Sequence, residues 1–138
     1  MDLSRFTEAH RRSYRTALAE IQNGRKETHW MWYIFPQIQG LGYSPTAQYY
    51  AISSLDEAAA FLQDAYLGGN LQEISRALLF LSGDDPTEIF GSPDDLKLRS
   101  SMTLFSVVAG EDSVFQEVLE KYYDGRPDGR TLQILGID

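Results

Sequence analysis

Apolar residues recur every three or four positions along most of the chain, the spacing that places them on one face of an α-helix. The first predicted helix covers about residues 7–22, and Asn23 with Gly24 ends it. Similar stripes predict further helices that begin near residues 45, 54, 71, 86, 92, 112 and 130. The pattern therefore indicates one helix after another along the chain.

Particular residues mark where these helices begin and end. Serine side chains are predicted to cap three helix starts, at Ser44, Ser54 and Ser92. In the last of these, Pro93 takes the first helical position, where its missing N–H costs nothing. The run Gly-Gly-Asn at residues 68–70 is predicted to separate two helices.

One segment, residues 29–35, is apolar and aromatic on every side, so periodicity does not distinguish a buried strand from a buried helix. Its composition favours a strand. No other segment offers a strand partner, however, and a lone strand would leave its backbone groups unpaired. We therefore predict a short buried helix that ends before Pro36.

Together these features predict an all-α fold, a single compact orthogonal domain of about six to eight helices over residues 1–138. A chain of 138 residues is long enough to bury one core. It has no cysteine, which excludes disulfides, thiolate catalysis and zinc–thiolate sites.

Charge and hydropathy narrow the classes of partner. The formal net charge of −8 argues against general nucleic-acid binding, which depends on cations placed against phosphates. The N-terminus lacks the pattern of a signal peptide, and the longest apolar run, residues 30–36, is too short to span a bilayer. We therefore expect a cytoplasmic protein without membrane contact, and the oligomeric state stays open.

The first group of candidate functional residues surrounds the aromatic segment. His29 is a candidate for proton transfer, with a structural histidine as the alternative. Trp30 and Trp32 are about 200° apart on a helix, so if one lies in the core the other faces a cleft or solvent, where it can stack on a flat ligand. Lys26 and Gln37 are the candidate polar contacts on either side.

The second group lies in a loop and in a later helix. Gly40 and Gly42 precede a helix start and either present N–H groups to an anion or simply form a tight loop. Lys97, Ser100 and Ser101 are polar residues in a largely apolar helix, which is typical of either a phosphate or carboxylate contact or of close helix packing. Two histidines exclude a histidine-rich metal site, and no metal or cofactor is assigned.

Two blocks of the sequence, residues 26–44 and 89–105, resemble the signatures of a bacterial and fungal family known as domain of unknown function 1810. The segments 50–52 and 128–132 also fit, so the likeness covers almost the whole chain. The resemblance implies an all-helical fold and no established activity. Some members carry the name calpastatin, but this compact chain is unlike that disordered, repetitive inhibitor.

These observations favour two hypotheses of function. The first is a small-molecule, nucleotide or anion-binding domain, with or without enzymatic activity, whose pocket combines the blocks 26–44 and 92–103. The alternative is a protein-interaction module in which the aromatic cluster at residues 30–35 lines a groove for a partner helix or peptide.

Overall fold

The computed structural model describes residues 1–137, and apart from an isolated parallel bridge between Ile38 and Ile52 its regular structure is all-helical. Nine helices form within these residues: α1 Ser4–Gln22, α2 Met31–Ile34, α3 Pro45–Tyr50, α4 Leu55–Gln63, α5 Ala65–Leu79, α6 Pro86–Phe90, α7 Asp94–Ala109, α8 Val114–Tyr123 and α9 Gly129–Leu135. The number exceeds the predicted six to eight because α2, α3, α6 and α9, of seven residues or fewer, each complete a helical turn.

The centre of the fold is the long helix α7, which packs against α4, α6, α8 and α9. The ring of Phe105 on α7 lies 5.6 Å from that of Phe61 on α4 and 5.8 Å from that of Phe115 on α8. Helix α5 joins this group by packing against α1, α4 and α8. One connected apolar core results, and it draws buried side chains from helices at both ends of the chain.

The aromatic segment forms a short buried helix, α2, which confirms the prediction for residues 30–35. Met31 and Ile34 are at most 1 % exposed, and so are the flanking Trp30 and Phe35. A segment that is apolar on every side is normally buried. Helices α1 and α3 pack against this one, and the ring of Phe90 on α6 meets those of both Trp30 and Phe35, while Trp32 and Tyr33 are half-buried.

Two of the three predicted serine caps are present. Ser44 accepts a hydrogen bond from the Ala47 N–H at 3.1 Å, and Ser54 caps α4 in the same way. The prediction for Ser92 is wrong. Helix α7 begins at Asp94 with Pro93 in the capping position, so Ser92 lies one residue too early for its side chain to cap the helix.

The predicted break at residues 68–70 is also wrong, because α5 runs through it. The boundary between α4 and α5 is Asp64, whose carboxylate accepts hydrogen bonds from the N–H groups of the first turn of α5. A Cβ added at Gly68 would lie 1.9 Å from the Leu62 carbonyl oxygen. Glycine at this position therefore permits a close backbone approach between consecutive helices instead of ending a helix.

Two loops are held in place near α2 and α7. Residues 37–39 pair with Ile52 through two backbone hydrogen bonds of 2.8 Å. The Thr103 hydroxyl accepts a hydrogen bond of 2.8 Å from the Asp128 N–H, and Arg99 donates to the two carbonyl oxygens just before it. These contacts bring the loop after α2 and the start of α9 to the same side of α7.

Candidate functional site

A cleft of about 480 Å³ opens between α2, the loop that follows it, the first two turns of α7 and the start of α9. Its apolar walls include Trp32, Leu41 and Leu96. The polar side chains that line it are Gln37, Ser44, Lys97, Ser100, Asp128 and Arg130. The structure therefore brings together the two blocks of sequence that were predicted to share a pocket, and adds residues 128–130.

Trp32 and Lys97 meet in this cleft. The Lys97 ammonium lies over the Trp32 ring, 5.2 Å from its centroid, and 3.3 Å from Oδ1 of Asp94 on the same helix. Trp32 is only half-buried, unlike Trp30, whose indole lies in the core. This agrees with the expectation that two tryptophans on opposite sides of a helix have different environments.

Lys26 does not line the cleft but lies behind it. Its ammonium is 3.0 Å from Oδ2 of Asp94 and 5.1 Å from the Trp30 ring centroid, and its side chain is only 8 % exposed. Asp94 thus carries a lysine on each carboxylate oxygen, with Lys97 on the cleft side. The two ammonium groups leave this cluster with one positive charge in excess.

Glu20 on α1 orients the segment that leads into α2. Its buried carboxylate accepts hydrogen bonds from the backbone N–H of Glu27, from both the N–H and hydroxyl of Thr28, and from the Trp30 indole. Burial alone would raise the pKa of Glu20, but these hydrogen bonds outweigh burial and lower its pKa to about 2. No local pattern in the sequence predicts this role, because a glutamate on a helix is normally solvated.

Arg130, which was not among the residues predicted from the sequence, is the second cation that lines the cleft. It is exposed, lines the cleft, and makes no ion pair or side-chain hydrogen bond within residues 1–137. Its neighbour Asp128 is occupied as the cap of α9, where it accepts from the N–H and hydroxyl of Thr131. The lining residues carry two cations and one carboxylate, in a chain whose net charge is −8.

The two candidate glycines have different positions. Gly42 lines the cleft, and a Cβ there would lie 2.6 Å from the Ala47 Cβ, so glycine lets the loop pack against α3. The Gly42 N–H makes no hydrogen bond within the described part of the chain. Gly40 does not line the cleft and faces the side chain of Ile134.

Three other candidates lie away from the cleft or have different partners. His29 is exposed and does not line the cleft; its carbonyl oxygen accepts a hydrogen bond from the Tyr33 hydroxyl. Ser101 is fully buried, and its hydroxyl has no hydrogen-bond partner among residues 1–137. Ser100 lines the cleft, although its hydroxyl donates back to the Leu96 carbonyl oxygen at 3.2 Å.

Of the four aromatic side chains at residues 30–35, Trp30 and Phe35 belong to the core, while Trp32 and Tyr33 are half-buried. A groove for a partner helix or peptide at these residues stays a prediction. A second groove, also of about 480 Å³, lies elsewhere, between α1 and α5, where Phe80 is 82 % exposed. Within residues 1–137, no group of three His, Asp or Glu side chains is placed to hold a metal ion. None of the helices in that range has the length and apolarity needed to cross a membrane.

The comparisons with known proteins agree with the resemblance seen in the sequence. A family model described as "Protein of unknown function (DUF1810)" matches residues 1–135. The crystal structure of the conserved hypothetical protein Rv1873 from Mycobacterium tuberculosis at 1.38 Å is 47 % identical to this chain. That match covers 99 % of this chain and 98 % of the other, with a TM-score of 0.94. No curated protein matches the chain.

Proposed function

Because the chain belongs to the DUF1810 family of proteins of unknown function, we propose a function from the geometry of its cleft. The cleft binds a small organic anion that contains a flat ring, in the chemical class of nucleoside phosphates. The observation that carries this proposal is the meeting of a half-buried tryptophan, Trp32, with two cations, Lys97 and Arg130, in one cleft of about 480 Å³.

The ring of the ligand fits the aromatic wall. An indole presents a flat π-face on which nucleobases and other flat rings stack, and such stacking contributes roughly 1–3 kcal/mol. The volume of the cleft is within the usual range of small-molecule sites. Gln37 and Ser44 offer polar atoms at its edge, where they can accept or donate hydrogen bonds to a sugar or base.

The anionic group of the ligand fits the two cations. Arg130 has no protein partner within the described residues, so its guanidinium is free to form the bidentate hydrogen bonds that suit a phosphate. Two cations in a chain of net charge −8 suit a small anion better than a polynucleotide. We assign no proton-transfer role to His29, since it does not line the cleft.

The test is a titration of the protein with AMP, ADP-ribose, NAD and ribose 5-phosphate, in which calorimetry and tryptophan fluorescence measure binding. We expect AMP to bind saturably and to change the fluorescence, and Trp32→Phe to remove most of that change. Arg130→Ala is expected to weaken AMP binding by about tenfold, because a charge-assisted hydrogen bond is lost.

Arg12→Ala is the matched control, because Arg12 is an exposed helical arginine without an ion pair in the described residues, and it does not line the cleft. It is expected to leave AMP binding unchanged. Absence of binding across all four ligands would disprove the proposal. Equal losses from Arg130→Ala and Arg12→Ala would show that binding is non-specific attraction to surface cations.

A further inference from the structure

The aromatic face proposed to hold the ligand ring is covered in this structure. The Lys97 ammonium lies over the Trp32 ring at 5.2 Å from its centroid, and Asp94 holds it there at 3.3 Å. A ring that stacks on this face of Trp32 must first displace Lys97. Resting on the function proposed above, we infer that Lys97 is a specificity-determining residue that covers Trp32 until an anionic ligand draws it away.

The cover is built to move. Lys97 has a flexible stem, its side chain is 27 % exposed, and a partly exposed ion pair of this kind contributes little stability. A phosphate carries more charge than the single carboxylate of Asp94 and offers more acceptor oxygens. The ammonium therefore gains by leaving Asp94 for the phosphate of a ligand that enters the cleft.

Lys26 makes this exchange favourable although it does not line the cleft. Its ammonium is 3.0 Å from the second oxygen of Asp94, and its side chain is 8 % exposed. When Lys97 leaves, Asp94 keeps one counter-ion and is not left as an isolated charge, which would be costly in a partly buried position. Without Lys26, Asp94 would have only Lys97 and would hold it over Trp32. Lys26 is thus a positioning residue for the site.

The arrangement couples the two parts of the ligand. A flat ring without an anion must displace a cation that then has no new partner, so it binds weakly. A flat ring with a phosphate supplies that partner itself. The cleft therefore selects nucleotides over nucleosides in two ways: its cations attract the phosphate, and Lys97 leaves the Trp32 ring only when a phosphate is present.

The experiment measures the binding of AMP and of adenosine by calorimetry with the wild-type protein and four variants, and circular dichroism verifies that each variant folds. Lys97→Ala is expected to weaken AMP binding by about tenfold, because it removes a cation from the cleft. It is expected to strengthen adenosine binding several-fold, because the Trp32 ring is then no longer covered. Arg130→Ala is the contrast. It is expected to weaken AMP binding and to leave adenosine binding unchanged, because adenosine has no phosphate for Arg130 to hold and no cation–π contact joins Arg130 to Trp32 among the described residues.

Lys26→Met tests the positioning role. It is expected to weaken AMP binding several-fold. The double variant Lys26→Met with Asp94→Asn is expected to recover most of the lost affinity, because residue 94 then no longer holds Lys97 over Trp32. Circular dichroism of both variants distinguishes this role from a structural defect at Lys26, which would change the helical signal as well as AMP binding.

The outcomes separate the two proposals. If Lys97→Ala weakens adenosine as well as AMP, or leaves adenosine unchanged, the inference about the cover is overturned while nucleotide binding stands. If the double variant binds AMP no better than Lys26→Met, the role of Lys26 is overturned. If the wild-type protein does not bind AMP, ADP-ribose or NAD, the proposed function fails, and the inference fails with it.

Discussion

Replacement of Glu20 tests how the segment before α2 is held. The carboxylate is buried, with the residue 8 % exposed, and it accepts four hydrogen bonds of 2.7 to 3.0 Å from residues 27, 28 and 30. All four donors favour the charged form of the carboxylate. Glu20→Gln keeps the size and shape of the side chain, removes the charge and replaces one acceptor oxygen with an NH2 donor, so it tests the charged acceptor as a whole.

The magnitude follows from the pKa of Glu20, which falls from 4.5 to about 2 on folding. A change of this size corresponds to about 3 kcal/mol of stabilisation by the charged carboxylate. Because the folded pKa lies below the unfolded one, this stabilisation is fully present above the unfolded pKa of 4.5 and is lost as the pH falls towards 2. Glu20→Gln is therefore expected to lower the free energy of unfolding at pH 7 by about 3 kcal/mol.

The assay is urea unfolding at pH 7 and at lower pH, followed by circular dichroism. Glu8→Gln is the matched control, an exposed glutamate on the same helix, and it is expected to change stability by less than about 0.5 kcal/mol. The difference between Glu20→Gln and wild type should shrink as the pH is lowered through the range above. Equal unfolding midpoints for the two variants at pH 7 would refute the role given to Glu20.

A pH titration and two pairs of substitutions test other parts of the structure. Burial lowers the pKa of His10 from 6.5 to about 4. The stabilisation from the neutral imidazole should therefore be fully present above pH 6.5, and the free energy of unfolding should fall by up to about 3 kcal/mol as the pH drops towards 4. An NMR titration of the ring that gave an ordinary pKa would contradict this. Gly68→Ala should destabilise the protein by more than about 2 kcal/mol, whereas the adjacent Gly69→Ala, where a Cβ meets nothing within 4 Å, should stabilise it by up to about 1 kcal/mol. Thermal unfolding of the pair measures this, and similar melting temperatures would count against the close approach of α4 and α5. Ser101→Ala should leave the free energy of unfolding unchanged or raise it, because the buried hydroxyl has no partner among the described residues. Thr103→Val should lower the free energy of unfolding by about 1–2 kcal/mol, because the Asp128 N–H loses its acceptor. Urea unfolding that gave the reverse order would contradict these hydrogen-bond assignments.

The sequence by itself determined the helical class of this protein and most of its helices. Apolar periodicity and local capping depend on residues only a few positions apart, so they can be read along the chain. This is why Ser44 and Ser54 are predictable as caps. The buried helix at residues 30–35 follows from a different argument, because the sequence offers no partner for a strand there. The same reasoning selected Trp32 and Lys97, because aromatic and charged residues in these contexts are unusual within a single segment.

Only the tertiary structure decided the features that depend on distant contacts. Gly68 has the local signal of a helix break, yet the close approach of the Leu62 carbonyl makes it part of a continuous α5. Arg130 is an ordinary exposed residue until the hydrogen bond between Asp128 and Thr103 brings its segment to the cleft.

Lys26 shows the same limit, because the sequence could predict that it is near the site but not that Asp94 separates it from the cleft. The physical reason is general to these cases. Side chains that are distant along the chain meet only after the helices pack, and the local pattern around each of them carries no record of its partner.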